Sequence, residues 1–152
     1  MEEKLLLGKT LESVRIFRSE PVHPAWADES TPAINSPFVY LQFSNGEKYE
    51  ITPTEVELFS GHYACLGLAV KEIFSSIAIF EWPNGSALNT VELEELKNFL
   101  PQKITKVEVS DPLQEGAESQ LCFLLNNQSS ICISHIMPPM TLGISVASHE
   151  ST

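Results

Sequence analysis

The chain has 152 residues, 43% of them hydrophobic and 19% charged, with a formal net charge of −11. That length suits a single compact domain spanning 1–152 with a real hydrophobic core. The acidic excess repels nucleic acid and anionic membranes, and favours a basic partner or plain solubility.

The opening, MEEKLLLGKT, begins with acids, and its apolar run Leu5-Leu6-Leu7 is too short for a secretory leader. No stretch approaches the roughly 20 apolar residues of a membrane helix. Both features point to a cytoplasmic protein. After this lead-in the apolar pattern predicts a strand over Leu11 to Arg18. The segment Ser19 to Pro37 follows, with prolines at 21, 24, 32 and 37 that exclude a helix or a central strand. It presents Trp26 with Asp28 and Glu29 beside it. A stiff loop carrying an aromatic anchor and two acids is a candidate partner-binding element. The competing reading folds Trp26 back as a lid on its own core.

Val39-Tyr40-Leu41-Gln42-Phe43 alternates as a strand with one buried face, and Tyr49 to Ile51 returns after Asn45-Gly46. That dipeptide predicts a two-residue type I′ hairpin turn. Glu55 to Phe59 reads as a short helical turn, Tyr63 to Ile73 as helix or strand, and Ile77 to Trp82 as a strand. Thr90 to Leu100 predicts the clearest helix, capped by Asn89 or Thr90 and ended by Pro101. Glu92, Glu94 and Glu95 load its first turns, forming a second candidate binding surface. A strand over Ile104 to Ser110 precedes a second hairpin, LCFLLNNQSSICI, turning at Asn126-Asn127.

The two hairpins align, Val39 on Leu121, Leu41 on Phe123, Phe43 on Leu125, Tyr49 on Ile131 and Ile51 on Ile133. Upstream, Leu11, Val14 and Ile16 fall on Ile104, Val107 and Val109; downstream, Leu66 to Val70 falls on Leu142 to Val146. An ordered series of this kind predicts internal duplication, with pseudo-repeats at about 1–76 and 77–152. The expected fold is α+β: two antiparallel β-meander units packed together with one or two helices.

Chemistry-bearing motifs are absent. His62 and Cys65 are neighbours only on a helix, and Cys132 and His135 fall on opposite faces of a strand. No histidine or cysteine spacing suits a metal, and no glycine-rich phosphate loop occurs. The expectation is a non-enzyme with no cofactor and no metal. Three cysteines in a cytosolic chain predict buried thiols rather than a disulfide, although Cys122 and Cys132 lie on facing arms of one hairpin.

The size, the acidity and the hairpin FSNGEKYEI resemble, in type, the immunity proteins of bacterial toxin–immunity pairs. The resemblance implies a protein that masks a cognate toxin, often a nuclease with a basic cleft. Trp26, Asp28, Glu29, Glu92, Glu94 and Glu95 would then be its contacts. Two alternatives stand beside it. One is a small-molecule pocket between the repeats, lined by Tyr63, Cys65 and His135. The other is an adaptor subunit of a larger assembly.

Overall fold

The computed structural model describes residues 3–17, 34–57, 61, 63–74, 79–81, 87–111, 114, 116–126, 128–136 and 141–147. Among the described residues, a 3-10 turn at Glu3–Leu6 leads into twelve strands and one short helix. In chain order these are β1 (Thr10–Ile16), β2 (Ile34–Ser36), β3 (Val39–Phe43), β4 (Lys48–Glu57), β5 (Tyr63–Ile73), β6 (Ile79–Glu81), β7 (Ala87–Asn89) and β8 (Val91–Glu92). Then come α1 (Glu94–Lys97), β9 (Gln102–Ser110), β10 (Gln120–Leu125), β11 (Ser130–Ile136) and β12 (Thr141–Ala147). No helix among the described residues is long and apolar enough to cross a membrane.

This is a β-rich fold, and the α+β expectation is corrected. One antiparallel sheet runs β2-β12-β11-β10-β9-β1-β3-β4-β5, with β8 beside β1, and β6 and β7 pair separately. The expected helix over Thr90 to Leu100 shrinks to the four residues of α1. Its first turn is lost because Val91 and Glu92 pair with Ile16 and Arg15, and the Leu93 N–H donates to the Val14 carbonyl. The N-cap position falls on Leu93, and the Thr90 hydroxyl and carbonyl accept from Arg15 at 2.8 and 3.0 Å. The expected turn of helix at Glu55 is strand, since β4 runs on to Glu57 past Pro53, with a register shift between Thr54 and Val56. Tyr63 to Ile73 resolves as strand throughout, its backbone paired along β4.

Two four-stranded meanders, β1-β3-β4-β5 and β9-β10-β11-β12, make up most of the sheet, with β2 and β8 added beside β12 and β1. The meanders are joined edge to edge by Thr10↔Lys103 and Leu11↔Gln102 rather than standing as separate units. Their registers coincide. Val39 faces Ile51 and Leu41 faces Tyr49, as Leu121 faces Ile133 and Phe123 faces Ile131. Leu11, Val14 and Ile16 meet Phe43, Leu41 and Val39, as Ile104, Val107 and Val109 meet Leu125, Phe123 and Leu121. The two first strands even carry a register shift at the same place, skipping Glu12 in one and Thr105 in the other. The Thr10 carbonyl accepts from Ser44 N–H at 3.0 Å and the Lys103 carbonyl from Asn126 N–H at 2.9 Å, so Thr10 and Lys103 mark a local two-fold relation. Only the fourth strands depart from the sequence alignment. Val70 lies level with Ile51 and Ile144 with Ile133, so Val70 matches Ile144 and not Val146. A two-residue offset keeps the same face inward, which is why the apolar pattern could not detect it.

The sheet folds over on itself, bringing β4 and β5 against β10, β11 and β12. Between the layers lies one apolar cluster drawn from both meanders, including Leu11, Ile16, Leu41, Ile51, Leu96, Ile104, Leu121, Phe123, Ile133 and Ile144. β10, apolar at every position from Leu121 to Leu125, alternates in burial: Leu121, Phe123 and Leu125 are buried, while Cys122 and Leu124 are partly exposed. A smaller cluster of Phe38 and Tyr40, joined by Phe17 and Ile73, lies apart from that core.

Both hairpin turns are one residue longer than the expected two-residue type. Phe43 N–H donates to the Glu47 carbonyl, and Leu125 N–H to the Ser129 carbonyl. Gly46 takes φ 90°, and its counterpart Gln128 takes φ 73°. A left-handed residue at the end of a three-residue loop is the usual solution, and glycine fills it without strain. Gln128→Gly is therefore expected to stabilise the protein by about 0.5–1 kcal/mol, the net of relieved left-handed strain and lost chain entropy. Urea denaturation checks this; an unchanged or lowered midpoint would show that Gln128 is not strained.

Candidate functional site

The bulge at Glu12 decides what lies on the outer face of the first meander. Extra residues in a bulge re-aim side chains. Here a cavity of about 420 Å³ opens between β1, the β3–β4 turn and β8, lined by Glu12, Ser13, Gln42, Phe43, Gly46, Glu47, Lys48 and Glu92. Among the described residues, three carboxylates and one lysine thus line one concavity. Ser13, nearly buried, donates its hydroxyl to Gln42 Oε1 at 2.5 Å and fixes the floor.

Glu47 is held firmly in place. Lys9 Nζ forms an ion pair with its Oε2, Tyr49 donates to the same oxygen at 2.6 Å, and Asn45 Nδ2 donates to Oε1 at 2.9 Å. Lys9 also donates to the Tyr49 hydroxyl at 2.7 Å, and the Tyr49 ring meets Phe43 edge-on at 5.6 Å. The hydrogen bonds from Lys9 and then Tyr49 hold the Glu47 carboxyl below its ordinary range. Burial alone would lower Lys9, but its bonds to Glu47 and Tyr49 prevail and raise it. Burial, reinforced by donation to Glu47, pushes the Tyr49 phenol up.

A depressed carboxylate stabilises the fold above its unfolded pKa, and that contribution disappears as pH falls through its folded pKa. The gap in urea midpoint between the native chain and Glu47→Gln should therefore be full at neutral pH and close in acid. A gap independent of pH would remove ionisation of Glu47 from the account.

Of the described residues among those singled out from sequence, Glu92 lines this cavity and Glu94 and Glu95 do not. Glu92 stands on β8, paired with Arg15, and not on a helix with Glu94 and Glu95. Those two sit in α1, Glu94 exposed and Glu95 half-buried. Trp26, Asp28 and Glu29 lie outside the described residues. Phe17 and Ser36, which stand on either side of their segment, are joined: the Phe17 N–H donates to the buried Ser36 hydroxyl at 3.1 Å. Glu12 and Glu47 were missed by the sequence reading. A bulge leaves no signal in one sequence, and Glu47 carries no mark beyond following the Asn45-Gly46 turn.

The pocket expected between the repeats has a different character. His135 is buried there, its Nδ1 2.9 Å from the Gly67 carbonyl of β5, and its backbone N–H donates to the Ser119 carbonyl at 2.9 Å. It ties the two layers of the sheet together. The side chains of Tyr63 and Cys65 lie outside the described residues. Among the described residues no group of three or more histidine, cysteine, aspartate or glutamate side chains is placed to hold a metal ion.

The expectation of buried free thiols is corrected at Cys122 and Cys132. They face each other in register across β10 and β11, Cα atoms 4.1 Å apart, and are joined by a disulfide. Both point away from the core face occupied by Leu121, Phe123, Ile131 and Ile133, which separates Cys132 from His135.

Fold and site together define a β-sheet protein with an acidic concavity on an outer strand face. Comparison with protein-family models, with curated proteins and with solved structures gives no match.

Proposed function

We propose that the chain is a non-enzymatic acidic binding protein of the cytoplasm. It neutralises a cognate basic protein, such as a nuclease toxin, by masking that protein's active site. The observation that supports this reading is the convergence of Glu12, Glu47 and Glu92 on one cavity of about 420 Å³. A hollow of that size with fixed carboxylates suits a lysine or arginine side chain of a partner, and a net charge of −11 draws such a partner in. The Lys9 and Tyr49 bonds keep Glu47 positioned before binding, which spares ordering cost. The loop residues Trp26, Asp28 and Glu29 remain our proposed second contact, and Glu94 and Glu95 our proposed outlying ones.

The test is retention of proteins from the source organism's lysate on the immobilised chain, at low and high salt. Three baits are compared: the native chain, Glu12→Lys with Glu92→Lys, and Trp26→Ala with Asp28→Ser and Glu29→Ser. The reading expects one basic protein retained at low salt, reduced at high salt and lost with the first variant. Retention that ignores salt and survives both variants would refute it. A small cation filling the same cavity is the second reading, favoured by the polar lining. It predicts thermal stabilisation by an arginine or lysine ester without any protein partner.

A further inference from the structure

We infer that Cys122 and Cys132 form a reversible thiol–disulfide exchange site, open to small thiols and disulfides of the glutathione class. Three observations carry this. The pair lies at directly opposed positions of an antiparallel ladder, flanked in register by Glu108 on β9 and Ser145 on β12. The Leu125–Ser129 hydrogen bond that closes the hairpin makes 122–132 a non-hydrogen-bonded pair, the kind in which side chains stand closest. Both cysteines are partly exposed, so an attacking thiolate can reach either sulfur.

A further observation separates this bond from a structural staple. β10 and β11 are central strands: β10 also pairs along β9, and β11 also pairs along β12 from Ser130 to Ile136. Backbone ladders on both sides hold them with or without the sulfur bond. The fold therefore accommodates the disulfide and the dithiol alike, and the pair can cycle without unfolding. A staple between loops would lack that property.

The chemistry balances with the small thiol as reductant. One thiolate attacks a protein sulfur, breaking the Cys122–Cys132 bond, forming a mixed disulfide and releasing the other cysteine as a thiolate. A second small thiol attacks the mixed disulfide, leaving the protein dithiol and one small-molecule disulfide, with two electrons transferred to the protein. The small-molecule disulfide reverses each step. In a reducing cytoplasm the pair then stands as the dithiol and closes under oxidation, independently of the binding function proposed above.

The test equilibrates the folded full-length chain in glutathione buffers of graded ratio, starting from both the oxidised and the reduced protein. Acid quenching, alkylation and peptide mass spectrometry then read Cys122 and Cys132 separately from Cys65. The expected result is the same mixture from both directions, with an unchanged far-ultraviolet spectrum. The dithiol form should melt cooperatively, roughly 6 to 12 °C below the disulfide form. Cys122→Ser with Cys132→Ser should melt like the dithiol. Three results would overturn the inference: a disulfide that yields only after denaturant is added, thiols that stay reduced in fully oxidised buffer, or loss of the sheet signal on reduction.

Discussion

Phe123→Ala is expected to lower stability by about 3–5 kcal/mol, the usual cost of emptying a buried phenylalanine site. Phe123 is 1% exposed and stands in register between Val107 of β9 and Ile131 of β11. The core between the two layers draws on both meanders, so removing this ring strips contacts from both at once. The neighbouring Leu124 faces the other way and is partly exposed. Leu124→Ala therefore serves as the control and should cost about 1 kcal/mol or less, since a half-exposed site leaves no closed cavity. Urea midpoints at constant slope measure both. Equal losses at 123 and 124 would contradict the alternation that places one face of β10 in the core.

The second large effect concerns association with the proposed basic partner. Glu12→Lys with Glu92→Lys turns two of the three carboxylates lining the cavity into cations and leaves the Glu47 bonds to Lys9 and Tyr49 intact. Complementary charge acts mainly on the encounter rate, and reversing it introduces repulsion where attraction steered approach. The association rate at low salt should fall about tenfold or more, and the gap should narrow as salt screens both forms. Stability should change little, because Glu12 is exposed and Glu92 lies at the sheet's short outer strand. An association rate unaffected by the double change would move the binding surface elsewhere on the molecule.

Much of the β framework was legible because a strand's period of two leaves a plain mark. Leu11, Val14, Leu41 and Ile51, like Ile104, Val107, Phe123 and Ile133, stood at matching places in the sequence and stand at matching places in register. Internal duplication, with halves at about 1–76 and 77–152, is our proposal for the origin of that match. The helix was over-read. Leu93 and Leu96 are buried as helical spacing implied, yet Leu93 reaches the core from an extended residue and Leu96 from a single turn. Apolar spacing over so short a span does not distinguish a helix from a strand end followed by a turn.

The joining of the meanders was not legible at all. It rests on backbone pairing at Thr10, Leu11, Gln102 and Lys103, where no hydrophobic pattern marks a partner strand. The cavity was hidden for a related reason. Glu12, Glu47 and Glu92 lie far apart in sequence, and a one-residue bulge with a two-residue strand brings them together. Long-range pairing is decided by tertiary packing, which single-sequence patterns do not carry. The disulfide is within reach of the sequence, since Cys122 and Cys132 lie on facing arms of one hairpin, but a reducing compartment and an odd cysteine count favour free thiols.

The most direct test of the central claim is a hydrogen–deuterium exchange footprint of the chain bound to its retained basic partner. The account predicts new protection over residues 11–15, 42–48 and 91–92, the walls of the acidic cavity. Protection confined to 102–147, with those three segments exchanging as in the free chain, would contradict it.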